Sequence, residues 1–160
     1  MIIDRFQEFQ AEEVAELIKR NLLEIASKYY PPEYVASLVE GFSPANLIKK
    51  AETQHNFVAA EEGKVVGTGS LTNYGSEATP GYYGTAIFVA PEHHGKGIGR
   101  QIMRKVEARA FELEAEKITV RAAINARAFY EKPGYTYRDG VATRDERGNY
   151  VMEKAVQHPA

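Results

Sequence analysis

The sequence predicts a single mixed α/β domain, and three observations carry that expectation. Apolar residues recur at helical spacing near the start of the chain. A run of strand-like segments separated by short turns follows. A strand, a glycine-rich loop and a helix then succeed one another, with further strands behind them. Helices, then an antiparallel run, then strand–helix–strand units argue for one largely antiparallel sheet flanked by helices. A chain of 160 residues is long enough for one domain with its own core and short for two, so residues 1–160 are expected to form one unit.

In order, Met1 to Phe6 suits a short first strand. From Gln10 to Tyr29, the residues Val14, Leu17, Ile18, Leu22, Ile25 and Tyr29 mark one face of an amphipathic helix. Pro31-Pro32 stops it, because proline lacks the N–H and restricts the residue before it. Tyr34, Val35, Leu38 and Val39 suggest a second helix ending at Gly41. Ser43 followed by Pro44 is a start signal for a third, with Leu47, Ile48 and Ala51 buried. Strands are expected at Asn56 to Glu61 and Val65 to Thr72, around the hairpin loop Glu62-Gly63-Lys64. Asn73 to Gly81 reads as a loop, Tyr82 to Ala90 as a strand and Lys117 to Arg121 as another. Asn125 is expected to cap a short helix through Lys132, which Pro133-Gly134 ends. Tyr135 to Arg138 and Tyr150 to Val156 complete the strands.

Composition excludes several classes. A net charge of -2 gives no reason to expect a nucleic-acid binder, since that reading needs a basic face. The absence of Cys removes a thiol nucleophile, a disulfide framework and a thiolate metal site, and four scattered His residues lack metal-site spacing, so no metal is expected. The N-terminus lacks the basic and apolar regions of a signal peptide, and no run is long enough to span a bilayer. The expectation is a cytoplasmic protein with no membrane partner.

The chemistry concentrates at His94-Gly95-Lys96-Gly97-Ile98-Gly99-Arg100. Ile98, Ile102, Val106, Ala110 and Leu113 give the segment that it opens a helical face. The first N–H groups of a helix have no internal partner and carry the positive end of its dipole. Glycines let an anion approach the backbone closely. The spacing is neither G-x-G-x-x-G nor a P-loop, since no Ser or Thr follows Lys96. A plain strand-to-helix turn is the alternative; three alternate glycines beside Lys96 and Arg100 favour a phosphate cradle.

Val89-x-Pro91 followed by His94-x-x-Gly97-x-Gly99 resembles the acyl-CoA signature of the GCN5-related N-acetyltransferases (GNAT), usually Gln/Arg-x-x-Gly-x-Gly/Ala. Downstream, Asn125-Ala-Arg-Ala-Phe129-Tyr130-Glu131-Lys132-Pro133-Gly134-Tyr135 resembles the family's Asn…Ala…Phe-Tyr-Glu-Lys-x-Gly-Phe/Tyr motif. Phe57 to Gly69 is similar to its central hairpin. The resemblance implies a sheet split around acyl-CoA and direct attack of an amine on the acetyl-CoA thioester, in a ternary complex without an acyl-enzyme. It assigns N–H groups of Gly95, Lys96, Gly97, Gly99 and Arg100 to the pyrophosphate, with His94 beside it in place of Gln or Arg. It assigns main-chain groups of Phe88 and Val89 to the pantetheine arm, which would join as an added strand. Asn125 has two compatible assignments, a helix cap and a contact to the pantetheine or sulphur end.

Tyr130 is the catalytic residue implied: its hydroxyl would serve the departing thiolate, and an unperturbed phenol is protonated at neutral pH. The alternative is an aromatic packed on the core behind Phe129. The general base is less legible. Where histone-type members carry a Glu on the central strand, an ungapped alignment places Tyr83, leaving Glu77 as a candidate. His93 and His94 are excluded as bases because they flank the phosphate loop; with His55 and His158 they read as surface residues. The acceptor, a primary amine of a small molecule or peptide, is expected to meet Ile25 to Phe42 and Asn73 to Gly81. Those segments hold Tyr29, Tyr30, Tyr34 and Tyr74, with Tyr82 and Tyr83 next to them. Packing is the simpler role for these rings. The rival function is a non-catalytic acyl-CoA-binding or regulatory domain; exposed strands near the C-terminus also leave room for a homodimer.

Overall fold

The computed structural model describes residues 1–156. Its elements are β1 (Ile2–Arg5), α1 (Ala11–Glu24), α2 (Pro32–Gly41), α3 (Pro44–Lys50), β2 (His55–Glu61), β3 (Lys64–Asn73), β4 (Tyr82–Val89), α4 (Ile98–Glu112), β5 (Lys117–Ala122), α5 (Arg127–Glu131), β6 (Thr136–Tyr137) and β7 (Tyr150–Ala155). Hydrogen bonding orders the strands β1-β2-β3-β4-β5-β7-β6 in one sheet. The β1–β2, β5–β7 and β6–β7 pairs are antiparallel, and β4 runs parallel to β5 through Tyr83↔Thr119 and Gly84↔Val120. This is the mixed, mostly antiparallel sheet with flanking helices that the sequence predicts.

Contacts divide the chain into two compact units, and the division falls within β3, β4 and α4. The first comprises Met1–Ser70 and Ala86–Val106. Its core gathers Val14, Leu17, Ile18 and Leu22 of α1, Val35 of α2, Leu47 of α3, Val58 of β2 and Ala90. Proline at the first position starts α2, and the Ser43 hydroxyl caps α3 by accepting from the Asn46 N–H at 3.3 Å. The β2–β3 hairpin turns through Glu62 (φ 49) and Gly63 (φ 79), the paired positive angles that match the twist of the flanking strands. Helix α4 lies close on β3 because Gly67 and Gly69 carry no side chain. A Cβ at Gly67 would sit 2.6 Å from Ile102 Cδ1, and one at Gly69 would collide with Ile102 Cγ2.

The second unit comprises Leu71–Thr85 and the chain from Glu107 on. Ile118, Val120 and Ala122 of β5 and Met152 of β7 are buried, with a six-pair ladder from Lys117↔Ala155 to Ala122↔Tyr150. Tyr135 is buried, and its hydroxyl donates to Glu107 Oε2 at 2.6 Å, where Lys154 Nζ also donates at 3.4 Å. Burial pushes the Tyr135 phenol far above its usual range, with the Glu107 charge adding to it. Helix α5 ends as expected: Gly134 takes φ 109 and Tyr135 N–H reaches back to the Tyr130 carbonyl at 3.0 Å.

Four local expectations need correction. Helix α1 stops at Glu24 rather than Tyr29, and a 3₁₀ turn, Ala26–Lys28, follows. Ile25, the C-cap, stretches to φ -116 while keeping its bond to the Asn21 carbonyl, and the Ser27 hydroxyl takes the Leu23 carbonyl that a continuing helix would give to a backbone N–H. Tyr29 is consequently exposed. Asn125 is not a helix cap: it lies inside a 3₁₀ turn, Ile124–Ala126, and Ala126 occupies the N-cap of α5 without a side-chain bond. His93 and His55 are half-buried rather than surface residues, because His55 begins β2 and His93 packs beside Glu61. His158 lies outside the described residues.

Candidate functional site

The glycine loop is built within the first unit. Strand β4 ends at Val89, and a 3₁₀ turn, Pro91–His93, closes with His93 N–H to the Ala90 carbonyl at 2.8 Å. Gly95 and Gly97 then both take φ +80. Only glycine adopts that region without strain, so the loop conformation itself selects these residues. Gln101 N–H makes the bond at the head of α4, to the Gly97 carbonyl at 3.2 Å. The N–H groups from Gly95 to Arg100 therefore find no acceptor among the described residues. Gly97 at positive φ is followed at once by the helical Ile98, and such a left-handed then right-handed pair aims successive N–H groups at one anion. A Cβ at Gly95 or Gly97 would meet nothing within 4 Å, so the space in front of the loop is open. Lys96 is exposed and Arg100 half-buried. Gly99 is buried inside the first turn of the helix.

Two ties from α1 hold the chain on either side of Pro91. Asn21 is buried on the apolar stripe and its Nδ2 donates to the Leu17 carbonyl at 3.0 Å and the Val89 carbonyl at 2.9 Å. Arg20 grips Glu92 with two parallel bonds of 3.1 and 2.6 Å and also reaches Glu24 at 3.4 Å. The Arg20 hydrogen bond holds the Glu92 carboxyl down to about 2. Both groups face solvent, so screening limits what the pair adds to stability. The His94 ring folds back as well: its Nε2 donates to the Val89 carbonyl at 2.8 Å. A carbonyl only accepts, so Nε2 carries the proton. The Val89 oxygen thus holds two donors, one from each side.

Sequence reasoning finds the loop but misses Arg20, Asn21 and Glu92. Asn21 leaves a detectable signal, because it stands four residues after Leu17 where the stripe calls for an apolar side chain. Nearby, Phe88 packs edge-on against Phe42 at 5.8 Å, and Lys50 Nζ sits 4.1 Å from the Phe42 ring centre. Burial lowers the Lys50 amine. His93 Nδ1 is buried without a hydrogen bond, 4.0 Å from Glu61 Oε2.

In the second unit, Tyr130 is buried with its ring 4.9 Å from Phe129 and 5.6 Å from Tyr135. Burial pushes its phenol far above the usual range, so it is firmly protonated. Asn125 is exposed. Glu77 is exposed in the 73–81 loop, which Asn73 Oδ1 organises by accepting from Gly75 and Gly81 N–H, each at 2.9 Å. Tyr83, at the position expected for a carboxylate, packs against Tyr74 at 5.1 Å. Among the described residues, no group of three or more His, Cys, Asp or Glu is arranged to hold a metal ion, and no helix is long and apolar enough to cross a membrane.

Comparison with known proteins finds a family model, Acetyltransferase (GNAT) family, matching residues 18–135. No curated protein matches. Solved structures share the fold at low identity. The PaiA N-acetyltransferase of Thermoplasma acidophilum, in complex with coenzyme A, superposes with a TM-score of 0.82 at 16% identity, covering 96% of this chain and 98% of that one. An aminoglycoside 6'-N-acetyltransferase complexed with coenzyme A gives 0.72 at 15%, covering 100% and 99%. YncA of Salmonella typhimurium, a putative acetyltransferase with its cofactor acetyl-CoA, gives 0.68 at 17%, covering 100% and 96%.

Proposed function

Because the chain belongs to the GNAT acetyltransferase family, we propose that it moves an acetyl group from acetyl-CoA to a primary amine of a small molecule or peptide. The observation that carries this reading is the run of unpartnered N–H groups from Gly95 to Arg100 opening on empty space. Pyrophosphate oxygens are acceptors only, so they suit a row of donors at a helix N-terminus. Lys96 and Arg100 add charge beside them. The Val89 carbonyl is filled by Asn21 and His94, which leaves the Val89 N–H as its group to meet a pantetheine amide.

Transfer is direct. The amine nitrogen attacks the thioester carbonyl, the C–S bond breaks, the product nitrogen loses a proton and the thiolate gains one. Tyr130 is the residue assigned to the thiolate. Its phenol is pushed above its ordinary value near 10, whereas a thiol sits near 8.5, so full proton transfer from Tyr130 to sulphur would run uphill. Its role is therefore a hydrogen bond that stabilises the leaving sulphur, with solvent supplying the final proton. With Tyr83 in place of a strand carboxylate, the amine is deprotonated by another group or by water, and exposed Glu77 is the candidate.

The test is a calorimetric titration of acetyl-CoA into the wild type and a Gly97→Val variant. The wild type should bind with a dissociation constant on the order of micromolar, in the usual range for such substrates. Valine at φ +80 is strained and its methyl groups would fill the open space, so binding should vanish while circular dichroism remains native. Wild-type affinity in that variant, or none in the wild type, would refute the cradle.

A further inference from the structure

In the second unit, Arg121 lies against Tyr74 and Tyr83, two of the rings that the sequence places near the acceptor. Arg121, on β5, is exposed, with its guanidinium carbon 5.4 Å from the Tyr74 ring centre and 4.9 Å from that of Tyr83. The two rings meet edge-to-face at 5.1 Å and form a corner around the cation. Tyr74 is held there because its loop is closed by Asn73 and by Tyr74 N–H to the Gly81 carbonyl at 2.9 Å. Stacking on aromatic faces uses the flat surface of a guanidinium and leaves the N–H groups at its rim. Arg121 has no hydrogen-bond acceptor or ion-pair partner among the described residues.

The neighbours explain why that charge stays uncompensated. Glu153, whose strand partner Thr119 is two residues from Arg121, lies 3.2 Å from Lys117 Nζ and 3.6 Å from Arg138 Nε. Arg138 also donates to the Tyr83 hydroxyl at 3.4 Å. Two cations thus share that carboxylate, and Arg121, held by the two rings, keeps its forked donors unused. A planar anion with two oxygens fits such a fork along one edge.

We propose that Arg121, seated against Tyr74 and Tyr83, is a binding site for a carboxylate carried by the amine acceptor. The acceptor class is accordingly an amino acid or another amine bearing a carboxylate, with its apolar part against the tyrosine rings. The identity of the molecule that carries the carboxylate rests on the acetyltransferase reading; the anion site does not.

The test follows the Arg121 Nε–H resonance while N-acetylglycine or its uncharged amide, N-acetylglycinamide, is added at constant ionic strength. Arg121→Gln identifies the signal by removing it. The carboxylate should shift the resonance along a saturating curve, and the amide should bind about tenfold more weakly or not at all, the size expected for a charge-assisted bond. In parallel, kcat/KM for free amino acids over their carboxamides should favour the acids by about tenfold in the wild type. That preference should collapse in Arg121→Gln and survive in part in Arg121→Lys, with acetyl-CoA affinity unchanged. Equal response to acid and amide, or no response to either, would overturn the site. Loss of acetyl-CoA binding in the wild type would overturn the enzyme reading while the resonance still reports on the anion site.

Discussion

Asn21 offers the sharpest test of how the fold supports the loop. Its Nδ2 makes two bonds, yet they differ in worth. The Leu17 carbonyl keeps its helical N–H partner if the side chain is removed, whereas the bond to Val89 at 2.9 Å is the tie between α1 and the end of β4. One such bond contributes about 1 kcal/mol, and truncation to alanine adds a small cavity, so Asn21→Ala should lose about 1–2 kcal/mol. In a chain of this size that lowers Tm by about 2–8 °C. Asn21→Leu separates the two effects, because it refills the volume and removes only the bonds. It should keep most of the stability and still bind acetyl-CoA about fivefold more weakly, since a loosened β4 end must be ordered when the ligand binds. The assay is thermal unfolding paired with calorimetric titration for both variants. His94→Ala supplies the control: each single variant leaves the Val89 oxygen one donor, and the double leaves none. The double should exceed the sum of the singles by about 1 kcal/mol. Wild-type acetyl-CoA affinity in both Asn21 variants would refute the tether, and strict additivity with His94→Ala would refute the shared carbonyl.

Further expectations follow from other contacts. Glu92 has a folded pKa depressed to about 2, so the stability it lends is complete above its ordinary value near 4.5 and is lost as pH falls toward 2; Glu92→Gln should flatten the acid limb of a Tm–pH profile over that window and change nothing at pH 7 and above in its shape. Tyr130→Phe should lower turnover by roughly ten- to a thousand-fold on a verified acceptor and leave acetyl-CoA affinity intact; unchanged turnover would remove Tyr130 from the mechanism. Gly67→Ala and Gly69→Ala should each cost about 1–3 kcal/mol in denaturant unfolding. Ile102→Val deletes the Cδ1 that crowds Gly67 and keeps the Cγ2 that crowds Gly69, so it should relieve the first variant and not the second.

What the sequence made legible was local, and what it hid was mostly distant or conformational. Val14, Leu17, Ile18 and Leu22 announce the buried face of α1 because a helix converts spacing into a stripe. Gly95 and Gly97 announce the loop because their chemistry is needed where they stand. The end of α1 was misplaced because a single hydroxyl, Ser27, diverts a carbonyl, and apolar periodicity carries no information about that competition. The Arg20–Glu92 pair joins residues 72 positions apart, and either residue read alone is an ordinary surface charge. Ala86 takes φ 53 inside a strand although nothing about alanine advertises a left-handed residue. Arg121 looks like any strand-end cation until Tyr74 and Tyr83 are seen around it. Asn125 shows the opposite error, a cap inferred from residue type where the helix begins later than the pattern suggests.

The two donors on the Val89 carbonyl bear on why this loop carries His where the family usually carries Gln or Arg. A Gln or Arg at that position has reach and donors to offer a phosphate. His94 spends its Nε2 on the strand end instead, at 2.8 Å. Its contribution is then to geometry: with Asn21 on the other side it fixes where the strand stops, and therefore where Gly95 to Arg100 begin. A row of backbone N–H groups gains from that arrangement more than from another flexible cation, because the donors are immobile already and lose little freedom on binding. The charge at this loop comes from Lys96, Arg100 and the helix dipole, and its precision from α1. On the proposed reading of the loop as the acetyl-CoA cradle, what sets cosubstrate affinity extends beyond the glycine motif to a buried asparagine 74 residues before Gly95.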